Sequence, residues 1–164
     1  MTRTFLPVVL LLCGSPLQGE TSKEVFEKIK ALGGRWSGRV DDRERGEPLV
    51  LEYRVIRSGT SVVEIQAPGT ANEMMTVYYL AGGELRATHY CSSGNQPALA
   101  WEASSSTDAV RFRFDGGTGF DPGRDGHVHD GEIKLVGADE IEHYWTYYQD
   151  GKKLSDTRWF LKRE

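Results

Sequence analysis

Residues 140–162, EIEHYWTYYQDGKKLSDTRWFLK, decide the class of fold. Side chains alternate between the two faces of a strand, so Ile141, His143, Trp145 and Tyr147 share one face. Glu142, Tyr144, Thr146 and Tyr148 share the other. Asp150-Gly151 is a hairpin signal between this run and a second one over 153–162. The period is two on both sides of the turn, which makes the pair an antiparallel hairpin and not a helix.

The same period runs upstream to Arg35. Strands are expected near 35–41, 49–57, 61–67, 73–80, 84–91, 98–104, 109–114 and 127–135. Between them lie turns such as Ser58-Gly59, Pro68-Gly69, Ala81-Gly82-Gly83 and Gly94 to Pro97. Short hairpins without crossover helices exclude an α/β fold. A long meander leaves exposed sheet edges unless it closes, so the expected fold is all-β, an antiparallel up-and-down barrel of about eight to ten strands. A β-sandwich is the alternative. The one helix expected opens the domain. Thr21-Ser22-Lys23-Glu24 has the capping-box spacing, Val25, Phe26, Ile29 and Leu32 recur at helical spacing, and Gly33-Gly34 ends the run. Residues 115–126, DGGTGFDPGRDG, read as a surface loop; Asp115, Asp121 and Asp125 do not have the spacing of a calcium loop.

The chain has 164 residues, enough for one domain. Its hydrophobic share of 38% supports one core, and its net charge of −4, with no basic stripe, argues against a nucleic-acid partner. Arg3 followed by the apolar run Phe5 to Cys13 is expected to be a signal peptide over 1–19, leaving the barrel domain at 20–164. The apolar run is too short to span a bilayer, so no integral membrane segment is expected in the mature chain. The protein is thus expected to be exported, periplasmic or extracellular. Cys13 stands where a lipid-bearing cysteine would lie, but Leu12 precedes it in place of a small residue. After cleavage Cys91 is the remaining cysteine, and no disulfide within the chain is expected.

Gly34-Arg35-Trp36 after the short helix resembles the Gly-x-Trp signature of lipocalins and the wider calycin group. Arg158, in DTRWFLKR, resembles the late arginine that packs across that tryptophan, which implies a structural role for Gly34, Trp36 and Arg158. The stretch from Asn72 to Tyr79, with Thr88-His89-Tyr90-Cys91 and Gly94-Asn95-Gln96-Pro97, is similar to exported bacterial lipocalin-like proteins of unknown function. That likeness extends over 22–162 and implies a fold, not an activity. Haem barrels of the nitrobindin type share the plan, but His143 precedes the final strand, where their ligating histidine would stand.

Alternation turns His89, His127 or His129, and His143 toward one interior. With Cys91, Trp101, Trp145 and Tyr147, the residues His89, His129 and His143 form the expected lining of a cavity for a small, partly apolar ligand. Imidazoles also ligate divalent metals, so His89, His127, His129 and His143 are metal candidates, with Cys91 or Asp130 as a further ligand. The cofactor is otherwise unknown. Cys91 two residues from His89 invites a nucleophile reading, but no nucleophile turn or oxyanion hole accompanies the pair. Glu52, Glu64, Glu102 and Glu142 are expected mostly on the outer wall, because their neighbours are apolar. The expected function is small-molecule binding without defined catalysis. The alternatives are a metal-dependent or histidine-assisted enzyme in the same cavity and a structural or protein-interaction barrel.

Overall fold

The capping box forms at the start of the domain. Thr21 N–H donates to Glu24 Oε2 at 2.8 Å, and Glu24 N–H donates to Thr21 Oγ1 at 3.3 Å. These bonds begin helix α1, Ser22–Ala31, whose Val25, Phe26 and Ile29 are buried. The computed structural model describes residues 19–103 and 106–164. The expected leader, with Cys13, lies outside the described residues except for Gly19.

Ten strands follow: β1 Gly34–Val40, β2 Pro48–Val55, β3 Ser61–Gln66, β4 Met74–Ala81, β5 Glu84–Tyr90, β6 Gln96–Glu102, β7 Ala109–Thr118, β8 His127–Leu135, β9 Glu140–Gln149 and β10 Lys152–Arg163. Each pairs antiparallel with the next, and β10 returns to β1, so the sheet closes on itself. Closure is what separates this barrel from the sandwich. Strand β7 runs to Thr118, further than the alternation indicated. Beyond it, Asp121 and Asp125 serve as local caps: Gly123 N–H donates to Asp121 Oδ1 and Asp121 N–H to Asp125 Oδ2, each at 2.9 Å. Among the described residues no helix is long and apolar enough to cross a membrane.

Helix α1 covers one end of the barrel, against β2, β4 and β5. Trp36 lies beneath it, fully buried, and its Nε1–H donates to the Leu32 carbonyl at 2.8 Å. The arginine across Trp36 is Arg163, not Arg158. The β1–β10 register sets Trp36 opposite Arg163, whose guanidinium lies 4.3 Å from the indole and donates to the carbonyls of Gly33, at 2.8 Å, and Ala31, at 3.1 Å. Arg158 pairs with Tyr144 and lies 4.9 Å over its ring on the outer face. Spacing from the end of a strand does not fix register, and the closing arginine proved to be one that reaches the helix C-terminus. Gly34 has φ +126°, and a Cβ there would stand 3.3 Å from the Arg163 guanidinium.

The interior is layered along the barrel axis. Nearest α1 it is apolar, with Val62, Leu85, Ile133, Ile141 and Leu161 all buried. Further in, polar groups take over: Glu64, Gln66, Thr76, His89 and His143 are buried as well.

A polar layer beneath an open cavity: the candidate functional site

Glu64 is the principal surprise of the interior. The outward position expected for it is incorrect, since its carboxylate is fully buried. Val62, Glu64 and Gln66 share the inner face of β3, while Val63 and Ile65 face out. The sequence signal was the turn: a hairpin centred on Ser58-Gly59 sets Glu64 directly opposite the inward Tyr53. Glu52, Glu102 and Glu142 are not buried. Glu142 pairs with Arg43, and Glu52 lies 2.7 Å from Arg54.

Glu64 accepts three hydrogen bonds. Its Oε2 accepts from the hydroxyls of Tyr53 at 2.8 Å and Tyr78 at 2.7 Å, and its Oε1 accepts from Gln66 Nε2 at 2.8 Å. The Tyr53 hydroxyl also lies 2.8 Å from His143 Nε2. A phenol has one proton, and Tyr53 gives it to Glu64, so the imidazole is the donor in the second bond. His143 is then the Nε2–H tautomer with Nδ1 bare, and Nδ1 has no partner. Burial pushes His143 below the usual histidine range against the opposing charge of Glu64. Burial and Glu64 together hold both phenols well above the usual tyrosine range. The layer is a neutral imidazole, two neutral phenols and a carboxylate, joined by hydrogen bonds.

Above this layer, at the end of the barrel away from α1, lies a cavity of about 360 Å³. Trp145, Trp159, Met74, Val128 and Tyr147 supply apolar wall, and Gln66, His89, Cys91 and Ser93 supply polar wall. Gln66 therefore joins the cavity to the Glu64 layer. The Tyr147 hydroxyl reaches the Ser93 hydroxyl at 3.2 Å across the mouth. Burial raises the Cys91 thiol, but the neighbouring His89 imidazole and the side chain and backbone of Ser93 outweigh it and bring the thiol to about 7.

Of the residues expected at the site, His89, Cys91, Trp145 and Tyr147 line this cavity. His143 lies behind it, stacked on Trp159 at 5.4 Å between ring centroids. Trp101 is elsewhere, near Ser22, Arg86 and Arg113 at the helix end. His127 and His129 do not line it either. A bulge in β8 between Val128 and Gly131 shifts the alternation, so Val128, opposite Tyr147, takes the inward place. His129 stacks on Tyr148 at 3.8 Å, and His127 packs between Phe114 and Phe120 with Nδ1 2.9 Å from the Asp125 carbonyl. The four histidines thus divide between two places. Among the described residues no three His, Cys, Asp or Glu side chains gather closely enough to hold a metal ion. Alternation missed Glu64, Gln66, Met74 and Trp159 as parts of the site and its support.

No protein-family model and no curated protein matches this chain. Among solved structures it is similar to a protein of unknown function of the DUF3598 family from Nostoc punctiforme PCC 73102, with 15% identity and a TM-score of 0.57. The match covers 93% of this chain and 53% of that protein, so the chain spans about half its length. A likeness at that identity carries the fold alone, and the fold is a closed antiparallel barrel of ten strands, broadly of the lipocalin type.

Proposed function

We propose that this barrel binds a small, partly apolar molecule and carries out no covalent chemistry on it. The supporting observation is the cavity at the end of the barrel opposite α1, about 360 Å³ and walled by Trp145, Trp159, Met74 and Val128 with a few polar groups among them. That volume is at the lower end of the roughly 300–1,000 Å³ typical of ligand clefts, and the mixture of walls is what such clefts use. Binding would come from burial of ligand surface, with directed hydrogen bonds fixing orientation.

Export is part of the same proposal, supported by Arg3 and the apolar run from Phe5 to Cys13. A histidine-assisted enzyme is the second reading, favoured by Cys91, a cavity-wall thiol brought to about 7 beside His89. Native mass spectrometry of the protein purified from its own host, with N-terminal sequencing of the same sample, tests the first reading. It should show a stoichiometric, noncovalent organic mass that is lost on unfolding, on a chain beginning near residue 20. A mass that survives unfolding, attached at Cys91, would support the second reading. A consistently empty protein would count against both.

A further inference from the structure

The cavity wall contains no lysine or arginine. Its one histidine, His89, stands beside the Cys91 thiol, whose ionisation sets a negative charge against any positive one there. Asp156 is also part of the wall, paired with Lys153 on the exposed side. Beneath the wall lies the Glu64 carboxylate, fully buried, and its three partners are two phenols and a carboxamide. None of them carries a positive charge, and burial keeps the neighbouring His143 ring neutral. A buried carboxylate without a cation leaves a negative potential that low-dielectric surroundings screen poorly. The cavity adjoins it through Gln66.

Gln66 shows which group faces that space. Its Nε2 donates to Glu64 Oε1 at 2.8 Å, an assignment that the acceptor-only carboxylate requires. The two ends of an amide point apart, so Gln66 Oε1 is turned off the carboxylate. Along β3, Gln66 is the next inward residue after Glu64 toward the open end. Its Oε1 accepts from no group among the described residues and keeps surface that solvent can touch. The residue as a whole is only 2% exposed, and the cavity is the space it lines. Buried polar groups are nearly always paired, so this carbonyl calls for a donor from outside the chain.

Trp159 adds an aromatic surface. One of its faces is stacked on His143 behind the wall, with the rings 16° from parallel, so the opposite face is the one free to meet a ligand. A cation is what an indole face attracts. An anionic head group would instead give up its hydration for like charges and no counter-ion. We propose that the cavity takes a small organic cation, a protonated amine on an apolar body, whose ammonium N–H donates to the Gln66 carbonyl above Glu64 and whose charge lies against the free face of Trp159. The proposal rests on the small-molecule reading above and narrows it to a ligand class.

Four probes of similar size separate the possibilities in calorimetric titrations of the full chain near neutral pH. They are 2-phenylethylammonium; 2-phenylethanol, which can donate to Gln66 but has no charge; propylbenzene, which has neither; and 3-phenylpropanoate, an anion. The amine should bind about tenfold more tightly than the alcohol and should compete with propylbenzene for one site. In Glu64→Gln the preference for amine over alcohol should fall to near unity, while propylbenzene still binds and so reports that the variant folds. Gln66→Met keeps the carboxylate with both phenols, and it should bring the amine and the alcohol down toward propylbenzene; it decides the point should Glu64→Gln not fold. Amine and propylbenzene of equal affinity, or an amine that leaves propylbenzene undisplaced, would overturn the cation site and leave the binding reading in place. So would an amine preference that survives these substitutions. Phenylpropanoate binding as tightly as the amine would overturn the charge selection. Failure of all four to bind would overturn both readings together.

Discussion

His143 Nε2 lies 2.8 Å from the Tyr53 hydroxyl, and that contact sets which nitrogen of His143 carries the proton. Tyr53 gives its proton to Glu64, so His143 must donate through Nε2, and burial keeps its ring neutral, while Tyr78 and Gln66 complete the carboxylate's partners. An ionised carboxylate buried without a cation is costly. Three directed donors are the compensation this fold supplies, and they come from β2, β3 and β4. The layer therefore fixes the positions of three strands and, through Gln66, one part of the cavity wall.

Removing the Tyr53 hydroxyl tests that arrangement. Tyr53→Phe leaves Glu64 short of a donor and His143 Nε2–H without an acceptor, each a loss of about 1–3 kcal/mol. Urea unfolding should show a drop in stability of that order. A change within about 0.5 kcal/mol, the range of ordinary surface substitutions, would mean that the network contributes little.

The buried imidazole gives stability a pH dependence with a defined sign. His143 is held below the unfolded value of about 6.5, so between the two values the unfolded chain binds a proton that the folded chain refuses. Its contribution is fully present above about 6.5 and is lost as pH falls toward the folded value, with a slope of at most about 1.4 kcal/mol per pH unit. Unfolding free energies from pH 7.5 down to 5 should decline more steeply for the wild type than for His143→Gln. Parallel curves would show that His143 is not held neutral by the fold.

Arg163 and Arg158 should behave differently although both stand over aromatic rings in β10. Arg163→Ala removes a cation from above buried Trp36 and two donors from the helix C-terminal carbonyls, and a loss of about 1–3 kcal/mol is expected. Arg158→Ala removes a contact on the exposed face and should cost less than about 0.5 kcal/mol. Thermal or denaturant midpoints of the two variants decide it, and the reverse order would restore Arg158 to the closing role.

Cys91 should react as a thiol already half ionised near neutrality. In a Cys13→Ser chain, where it is the only thiol, the iodoacetamide alkylation rate plotted against pH should have its midpoint near 7. His89→Gln should move that midpoint upward, because His89 is among the groups that lower it. A midpoint at the free-thiol value of about 8.5 in the wild type would remove the basis for any nucleophile reading.

The sequence by itself determined the architecture. Period-two alternation, hairpin turns and the Thr21 capping box are local signals, and they specified an antiparallel all-β chain with one helix ahead of it. Local alternation also placed His89, Trp145 and Tyr147 on the inner face, because each lies in an unbroken run of strand. Tertiary structure decided what depends on register and on neighbours distant in the chain. The β8 bulge changed which side chain enters the cavity, giving Val128 the place that alternation assigned to His129. Pairing of β1 with β10 chose Arg163 over Arg158. Glu64 went inside because Tyr53, Tyr78 and Gln66 converge there to receive it. A buried carboxylate is stable only with its partners in place, and three strands had to pair in one register before those partners could meet.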